Sequence, residues 1–189
     1  MDSAAVSSWI ARFAHLVAPA STVLDVACGG GRHARLFAER GCRVDAVDRD
    51  AALAAQFAGW PAIRFLAADI EAGSWPYAGR SFDAVIVTNY LHRPLLPMLA
   101  AAIAPGGVLL YETFAVGHER YGRPRNPDFL LRPRELLMAF ADLHVLAFED
   151  GVVAQSAPAR VQRLAAVRAS AEDHARLQLG APAPEGPAL

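Results

Sequence analysis

Short apolar runs alternate with amphipathic stretches along most of the chain. Five runs rich in Val, Ile and Leu have the length and the polar boundaries typical of buried strands. Stretches with apolar positions three to four residues apart separate most of these runs and predict helices. The predicted strands are 22–28, 42–47, 62–67, 82–87 and 108–113, and the predicted helices are 3–17 with a Ser3 cap, 32–40, 51–57 with an Asp50 cap, 94–103 and 132–140.

The repeated strand–helix order predicts an α/β fold, a Rossmann-like doubly wound sheet with helices on both faces. Two more strands, 143–149 and 159–168, are joined by a segment too short for a helix, so we expect them to pair antiparallel. The length of 189 residues favours one domain, over 1–170 with an N-terminal helix within 1–19. We expect the remaining tail, 171–189, to be disordered because its end is rich in Ala, Pro and Gly.

Composition excludes several classes of protein. The chain is 54% hydrophobic, which excludes intrinsic disorder, and its net charge of −1 disfavours a protein that holds nucleic acid by bulk electrostatics. All 18 basic residues are Arg, so no Schiff-base or P-loop lysine is available. The N-terminus lacks the features of a signal peptide and no apolar run reaches 18 residues, so we expect a cytoplasmic protein without a membrane segment.

Neither the cysteines nor the histidines show a pattern that indicates a structural cross-link or a metal. The two cysteines, Cys28 and Cys42, are too few for a disulfide framework. The six histidines are scattered without ligand spacing, so no metal site is expected.

A glycine-rich turn between the first predicted strand and the next helix indicates a ligand site. In a doubly wound sheet, ligands bind at the carboxyl ends of the strands, where glycines let them approach the backbone. Gly29, Gly31 and Ala34 fit the dinucleotide pattern G-x-G-x-x-A. An NAD(P)-dependent oxidoreductase therefore remains an alternative.

Three acidic residues in or after the first three strands favour a different ligand. Asp48 stands where a carboxylate can accept both hydrogen bonds of a ribose diol, although it could also cap the next helix. Asp69 can accept from the amine of a base while Ile70 flanks the ring, although a plain turn residue would look the same. Asp25 lies within a central strand, where a charge is costly unless it is paired, and a ligand that carries an amine would pair it.

The motifs, taken in order, resemble those of class I S-adenosylmethionine-dependent methyltransferases. They are V-L-D-V-A-C-G-G-G-R (23–32), Asp48, Ala68-Asp69, F-D-A-V-I-V-T-N-Y-L-H (82–92) and A-P-G-G-V-L-L (104–110). Residues 111–114 and 121–136 look like small stand-alone bacterial members, with a looser similarity to tellurite-resistance methyltransferases. The resemblance implies a seven-stranded sheet with an antiparallel last strand, and S-adenosylmethionine as the cofactor with S-adenosylhomocysteine as the product.

The resemblance also implies roles for individual residues. Asp25 and the glycine loop would hold the methionine part of the cofactor, Asp48 the ribose, and Asp69 with Ile70 the adenine. Asn89 and Tyr90 would border the methyl group. The full set of expected cofactor residues is Asp25, Ala27, Gly29, Gly31, Arg32, Asp48, Arg49, Asp69, Ile70, Asn89 and Tyr90. The family usually has Gly where Ala27 stands, so a slightly displaced loop is expected there.

The implied reaction is in-line methyl transfer to a small-molecule acceptor. A general base is needed only if the acceptor must lose a proton, and His92 and His118 are the candidates, with Glu112 as a buried alternative that would need a partner such as an arginine. His92 could instead be a helix-entry residue and His118 a surface residue.

The long polar loop 114–131 and its arginines would suit an anionic acceptor, but the simpler interpretation is a solvated loop in a chain whose basic residues are all Arg. The expected acceptor-binding residues are Tyr90, Arg93, Arg120, Tyr121 and Arg123. An RNA or protein methyltransferase remains an alternative, although nucleic acid is disfavoured by the near-neutral charge. The oligomeric state is left open.

Overall fold

One seven-stranded sheet organises the part of the chain that the structure describes. The structure is a computed structural model, and it describes residues 5–154 and 158–169. The strand order in the sheet is β3-β2-β1-β4-β5-β7-β6. The strands are β1 (Thr22–Val26), β2 (Arg43–Asp48), β3 (Ile63–Ala67), β4 (Phe82–Thr88), β5 (Ile103–Phe114), β6 (His144–Val153) and β7 (Ala159–Val167).

Strand directions confirm the predicted fold class. β1 to β5 pair in parallel. β7 runs antiparallel to both β5 and β6, as predicted for the last two strands. The chain order reverses between β1 and β4, and this switch point is where an open sheet of this kind binds its ligands.

The helices are shorter than the periodicity predicts. They are α1 (Ser8–Phe13), α2 (Arg32–Glu39), α3 (Leu96–Ala101) and α4 (Glu135–Ala139), with 3₁₀ turns at Ala14–Leu16, Ala51–Phe57, Arg93–Leu95, His118–Arg120 and Pro127–Phe129. Ser7 caps α1, because its hydroxyl accepts from the N–H groups of Trp9 and Ile10. The predicted Ser3 cap lies outside the described residues. Asp50 caps its helix as predicted, but that helix is of the 3₁₀ type.

The predicted helix 94–103 ends early, since β5 begins at Ile103 and contains the Pro-Gly-Gly turn expected to precede it. A register shift in the pairing of β4 with β5, between Phe82 and Ala84, accommodates these extra residues.

Side chains alternate between two apolar layers, one on each face of the sheet. Val23 and Ile86 pack on the face that α1 and α2 cover, together with Phe13 and Phe37. Leu24 and its neighbours on β4 and β5 pack on the opposite face, against α3 and α4. Because the side chains of a strand alternate, Asp25 points to the face of α2.

Within residues 5–154 and 158–169, no helix is long and apolar enough to cross a membrane. The predicted disordered tail, 171–189, lies outside the described residues.

Candidate active site

The loop after β1 has the backbone conformation that its glycines permit. Gly29 and Gly31 have φ values of +51° and +72°. A Cβ on Gly31 would lie 2.2 Å from the Phe57 ring, whereas a Cβ on Gly29 would meet nothing within 4 Å. Ala27 has φ +51°, so a residue that carries a Cβ adopts the left-handed conformation at the position where the resemblance implies Gly.

Asp25 lies beneath this loop and is 1% exposed. Its Oδ2 accepts from the N–H of Ala34 in α2 at 3.0 Å, and its Oδ1 is buried without a hydrogen-bond partner in the described structure. Burial raises the pKa of Asp25 to about 7, although the Ala34 N–H and the charge of Arg32 oppose the shift. An acceptor atom without a donor is what the ammonium group of a methionine moiety would satisfy, directly or through water.

Asp48 and Asp69 follow β2 and β3 at the same edge of the sheet. Asp48 fixes the loop, because its Oδ2 accepts from the Gly29 N–H at 2.9 Å and its Oδ1 from the Asp50 N–H at 3.1 Å. Asp69 closes a turn by accepting from the N–H groups of Glu71 and Ala72, and these bonds lower its pKa. Carboxylate oxygens carry two lone pairs each, so both residues keep acceptor capacity for a ligand.

A cavity of about 270 Å³ lies between these two carboxylates, and we call it the first cavity. The cavity suits a nucleoside, because its carboxylates can accept hydrogen bonds from ribose hydroxyls and a base amine. Its aliphatic side chains can pack on the ring of the base. The residues fit S-adenosylmethionine on these grounds. The lining residues are Ala27, Asp48, Arg49, Ala68, Asp69, Ile70, Glu71, Tyr90 and Phe129.

A second cavity, also of about 270 Å³, adjoins the first and shares three lining residues with it. The second cavity is lined by Glu71, Asn89, Tyr90, Leu91, Thr113, Phe114, Pro124 and Phe129. Asn89 has φ +54°, and its N–H donates to the carbonyl of Glu112. The Tyr90 hydroxyl is shielded from solvent and lies beside Glu71 without a hydrogen bond of good geometry. Burial, and then the Glu71 charge, raise the pKa of Tyr90.

The two candidate bases occupy different environments. His92 is half-buried, and its Nδ1 lies 3.7 Å from the Glu71 carboxylate at the edge of both cavities. His118 is 1% exposed, stacks on Phe114 and uses both ring nitrogens on the backbone, with Nε2 3.0 Å from the Arg123 carbonyl and Nδ1 3.3 Å from the Arg160 N–H. The alternative expectation that His118 is a surface residue is therefore wrong, because the side chain is buried. Its contacts support a structural role.

Arg93, expected to contact the acceptor, is held by protein groups. Its guanidinium donates to both oxygens of Glu135 and to the carbonyls of Asp128 and Leu130. Burial raises the pKa of Glu135, but the hydrogen bonds from Arg93 and from the Arg132 N–H, together with the charges of both arginines, outweigh burial and lower the pKa overall. Arg93 thus joins the end of the 114–131 loop to α4.

The remaining expected acceptor residues of the loop are on its surface. Arg120, Tyr121 and Arg123 are exposed, and none of them lines the first or the second cavity. Arg123 lines a separate shallow depression with Arg125, Asn126, Pro124 and Phe129. Arg32 opens α2 directly after the glycine loop.

A buried polar network links the N-terminal segment to the sheet beside the glycine loop. Arg163 pairs with Glu112, whose other oxygen accepts from the Ser7 hydroxyl at 2.9 Å. The Ser7 N–H donates to His33 Nε2, and His33 Nδ1 lies 3.3 Å from the Thr88 hydroxyl. Desolvation lowers the pKa of His33 to about 3, so the ring is neutral. The predicted arginine partner of Glu112 is therefore Arg163, and a structural role for Glu112 follows.

Comparison with known proteins supports the ligand that this geometry suggests. Residues 23–107 match the family model described as a methyltransferase domain. The trans-aconitate 2-methyltransferase of Paracidovorax citrulli is 41% identical over 98 residues, which are 48% of this chain and 37% of that protein. Its namesake from Delftia acidovorans is 38% identical over 103 residues, 49% of this chain and 38% of that protein. The matches thus span well under half of the curated relatives.

Solved structures share the fold. TehB from Haemophilus influenzae superposes with a TM-score of 0.75 at 17% identity, covering 88% of this chain and 64% of that one. The 1,6-didemethyltoxoflavin-N1-methyltransferase of Burkholderia thailandensis, with S-adenosylhomocysteine bound, gives a TM-score of 0.62 at 22% identity, over 85% of this chain and 76% of that one.

These findings confirm the resemblance seen in the sequence: the chain has the fold of class I methyltransferases, and its residues 23–107 match a methyltransferase domain. They also support S-adenosylmethionine as the cofactor.

Proposed function

We propose that this chain is an S-adenosylmethionine-dependent methyltransferase that acts on a small-molecule acceptor. The observation that carries the proposal is the first cavity, where Asp48 and Asp69, from the ends of neighbouring strands, line one space with Ile70 beside the glycine loop. Similarity to curated methyltransferases that are named for a small molecule, trans-aconitate, supports the acceptor class.

Each part of the cofactor has a group suited to it. Asp48 would accept from the ribose hydroxyls while it keeps its bond to the Gly29 N–H. Asp69 would accept from the adenine amine, and Ile70 would pack on the ring. The glycine loop, with Asp25 beneath it, would hold the methionine moiety.

The bound cofactor supplies a methyl group already activated by its sulfonium. The protein's task is then to hold an acceptor in line with that group and to exclude water. Tyr90 lines both cavities and Asn89 lines the second one, so they would border the methyl group and position the acceptor. Tyr90 is itself positioned, because the Tyr111 hydroxyl donates to its carbonyl at 3.0 Å.

Calorimetric titration of Asp48→Ala with S-adenosylhomocysteine tests the proposal. Losing charged hydrogen bonds costs about 1.5–3 kcal/mol, which predicts an affinity roughly 10- to 150-fold weaker than that of the wild type. Asp50→Ala is the matched control, since Asp50 caps the next helix and does not line the cavity. We expect it to reduce stability by about 1 kcal/mol and to leave the affinity unchanged. Equal affinities for the two variants would mean that the ribose lies elsewhere.

A further inference from the structure

The second cavity has the position of an acceptor site. It meets the first cavity at Glu71, Tyr90 and Phe129, which line both spaces. An acceptor held there would lie beside the cofactor's reactive end, next to Asn89 and Tyr90. This inference rests on the proposed function, because it assigns the first cavity to the cofactor.

The walls of the second cavity favour a flat, uncharged molecule. Three aromatic rings line it, those of Tyr90, Phe114 and Phe129, together with Pro124. Phe129 is 48% exposed in the described structure although it borders three cavities, and a ring stacked on it would cover apolar surface that water now contacts.

The charges around this cavity disfavour an anion. None of its lining residues is basic, and Glu71 contributes a carboxylate. The nearby Arg93 is paired with Glu135, and Arg123 and Arg125 face the separate outer depression. Among the residues that line the two cavities, the basic one is Arg49, and it lines the first cavity only. An acceptor carboxylate in the second cavity would therefore face Glu71 without a basic lining residue of that cavity to offset the repulsion. The expectation of an anionic acceptor, drawn from the arginine count, is not supported by where the arginines lie.

We infer that the second cavity takes a planar, uncharged heteroaromatic acceptor with a ring N–H, and that Glu71 is the base that receives its proton. The ring nitrogen's electron pair forms the new N–CH₃ bond while the C–S bond breaks and leaves its electrons on sulfur. The N–H proton passes to a Glu71 oxygen, and the nitrogen regains its lone pair. His92, 3.7 Å from Glu71, positions this carboxylate and leads the proton to solvent.

The charge preference is tested by calorimetry on the full chain saturated with S-adenosylhomocysteine. The probes are lumazine, lumazine-6-carboxylate and trans-aconitate, which differ in charge and in planarity. We expect lumazine to bind at least about tenfold more tightly than either anion. In Glu71→Gln, removal of the like charge should bring the affinity for lumazine-6-carboxylate closer to the affinity for lumazine. Tightest binding of trans-aconitate, or no binding of lumazine, would overturn the inference.

The role of Glu71 as a base is tested by the rate of S-adenosylhomocysteine formation from S-adenosylmethionine and lumazine. Glu71→Gln should lower kcat by about 10²-fold or more and leave the lumazine affinity nearly unchanged. The matched control, Glu39→Gln at the exposed end of α2, should behave as wild type. An unchanged kcat in Glu71→Gln would exclude the base. Failure of every variant and the wild type to bind S-adenosylhomocysteine would instead refute the proposed function.

Discussion

Asp25 makes the stability of the ligand-free protein depend on pH. Its pKa lies near 7 because the side chain is buried, against 3.8 in the unfolded chain. The folded state therefore prefers the protonated form, and stability that is present below about pH 4 is lost as the pH rises through 7. This difference of about three pKa units lowers the free energy of unfolding by about 4 kcal/mol in total, and about 3 kcal/mol of that loss falls between pH 5 and pH 8.

Asp25→Asn removes this titration and keeps an oxygen that can accept from the Ala34 N–H. The new amide group takes the place of the unpartnered Oδ1 and costs about 1–3 kcal/mol, less than a buried charge at high pH. We expect the free energy of unfolding of the variant, relative to that of the wild type, to rise by about 3 kcal/mol from pH 5 to pH 8. Urea unfolding without ligand measures this difference. Parallel pH profiles for the two proteins would refute this reasoning.

Ligand binding should act on the same carboxylate. An ammonium group near Oδ1 stabilises the charged form, so the wild-type affinity for S-adenosylhomocysteine should rise from pH 6 to pH 8 with release of a proton. Asp25→Asn should bind more weakly and show no proton release from this site when titrated in buffers of different ionisation enthalpy. Equal proton release in both proteins would show that the ammonium group does not reach Asp25.

Two further substitutions test how the loops are built. Gly31→Ala should lower the free energy of unfolding by about 2–4 kcal/mol, because its Cβ would lie 2.2 Å from the Phe57 ring and φ is +72°. Gly29→Ala carries only the backbone cost of about 1–2 kcal/mol. Urea unfolding curves that show Gly29→Ala to be the less stable variant would contradict the packing. Arg93→Gln should make the 114–131 loop more susceptible to limited proteolysis while S-adenosylhomocysteine affinity stays the same, with the exposed Arg120→Gln as control; identical cleavage rates would show that Arg93 does not hold the loop.

The strands were predictable because buried β-branched runs report directly on the sheet, and most predicted boundaries lie within one or two residues of the observed ones. Helix ends were less accurate, since 3₁₀ hydrogen bonding at Ala51–Phe57 and Arg93–Leu95 leaves no distinct periodicity in so few residues. The side chains of Asp48 and Asp69 were predicted to meet because parallel strands bring their carboxyl ends together, and both line the first cavity.

The remainder of the candidate site depends on contacts between distant segments. His118 is buried because Phe114 stacks on it and the backbone of Arg160, 42 residues away, bonds to it. Glu71 and Phe129 meet at the junction of the two cavities although they are 58 residues apart in the sequence. Glu71 lies just after the Ala68-Asp69 motif, and Phe129 lies within the 121–136 stretch that resembles bacterial members. Neither position indicates locally that the two side chains line one space, because that contact depends on the tertiary fold.

Binding of S-adenosylhomocysteine measured against binding of NADH is the most direct test of the central claim. A cavity that holds adenosine through Asp48 and Asp69 and a methionine amine near Asp25 predicts saturable calorimetric binding of S-adenosylhomocysteine, weakened in Asp48→Ala, and no comparable heat with NADH. Tight binding of NADH with none of S-adenosylhomocysteine would contradict the methyltransferase proposal and favour an oxidoreductase.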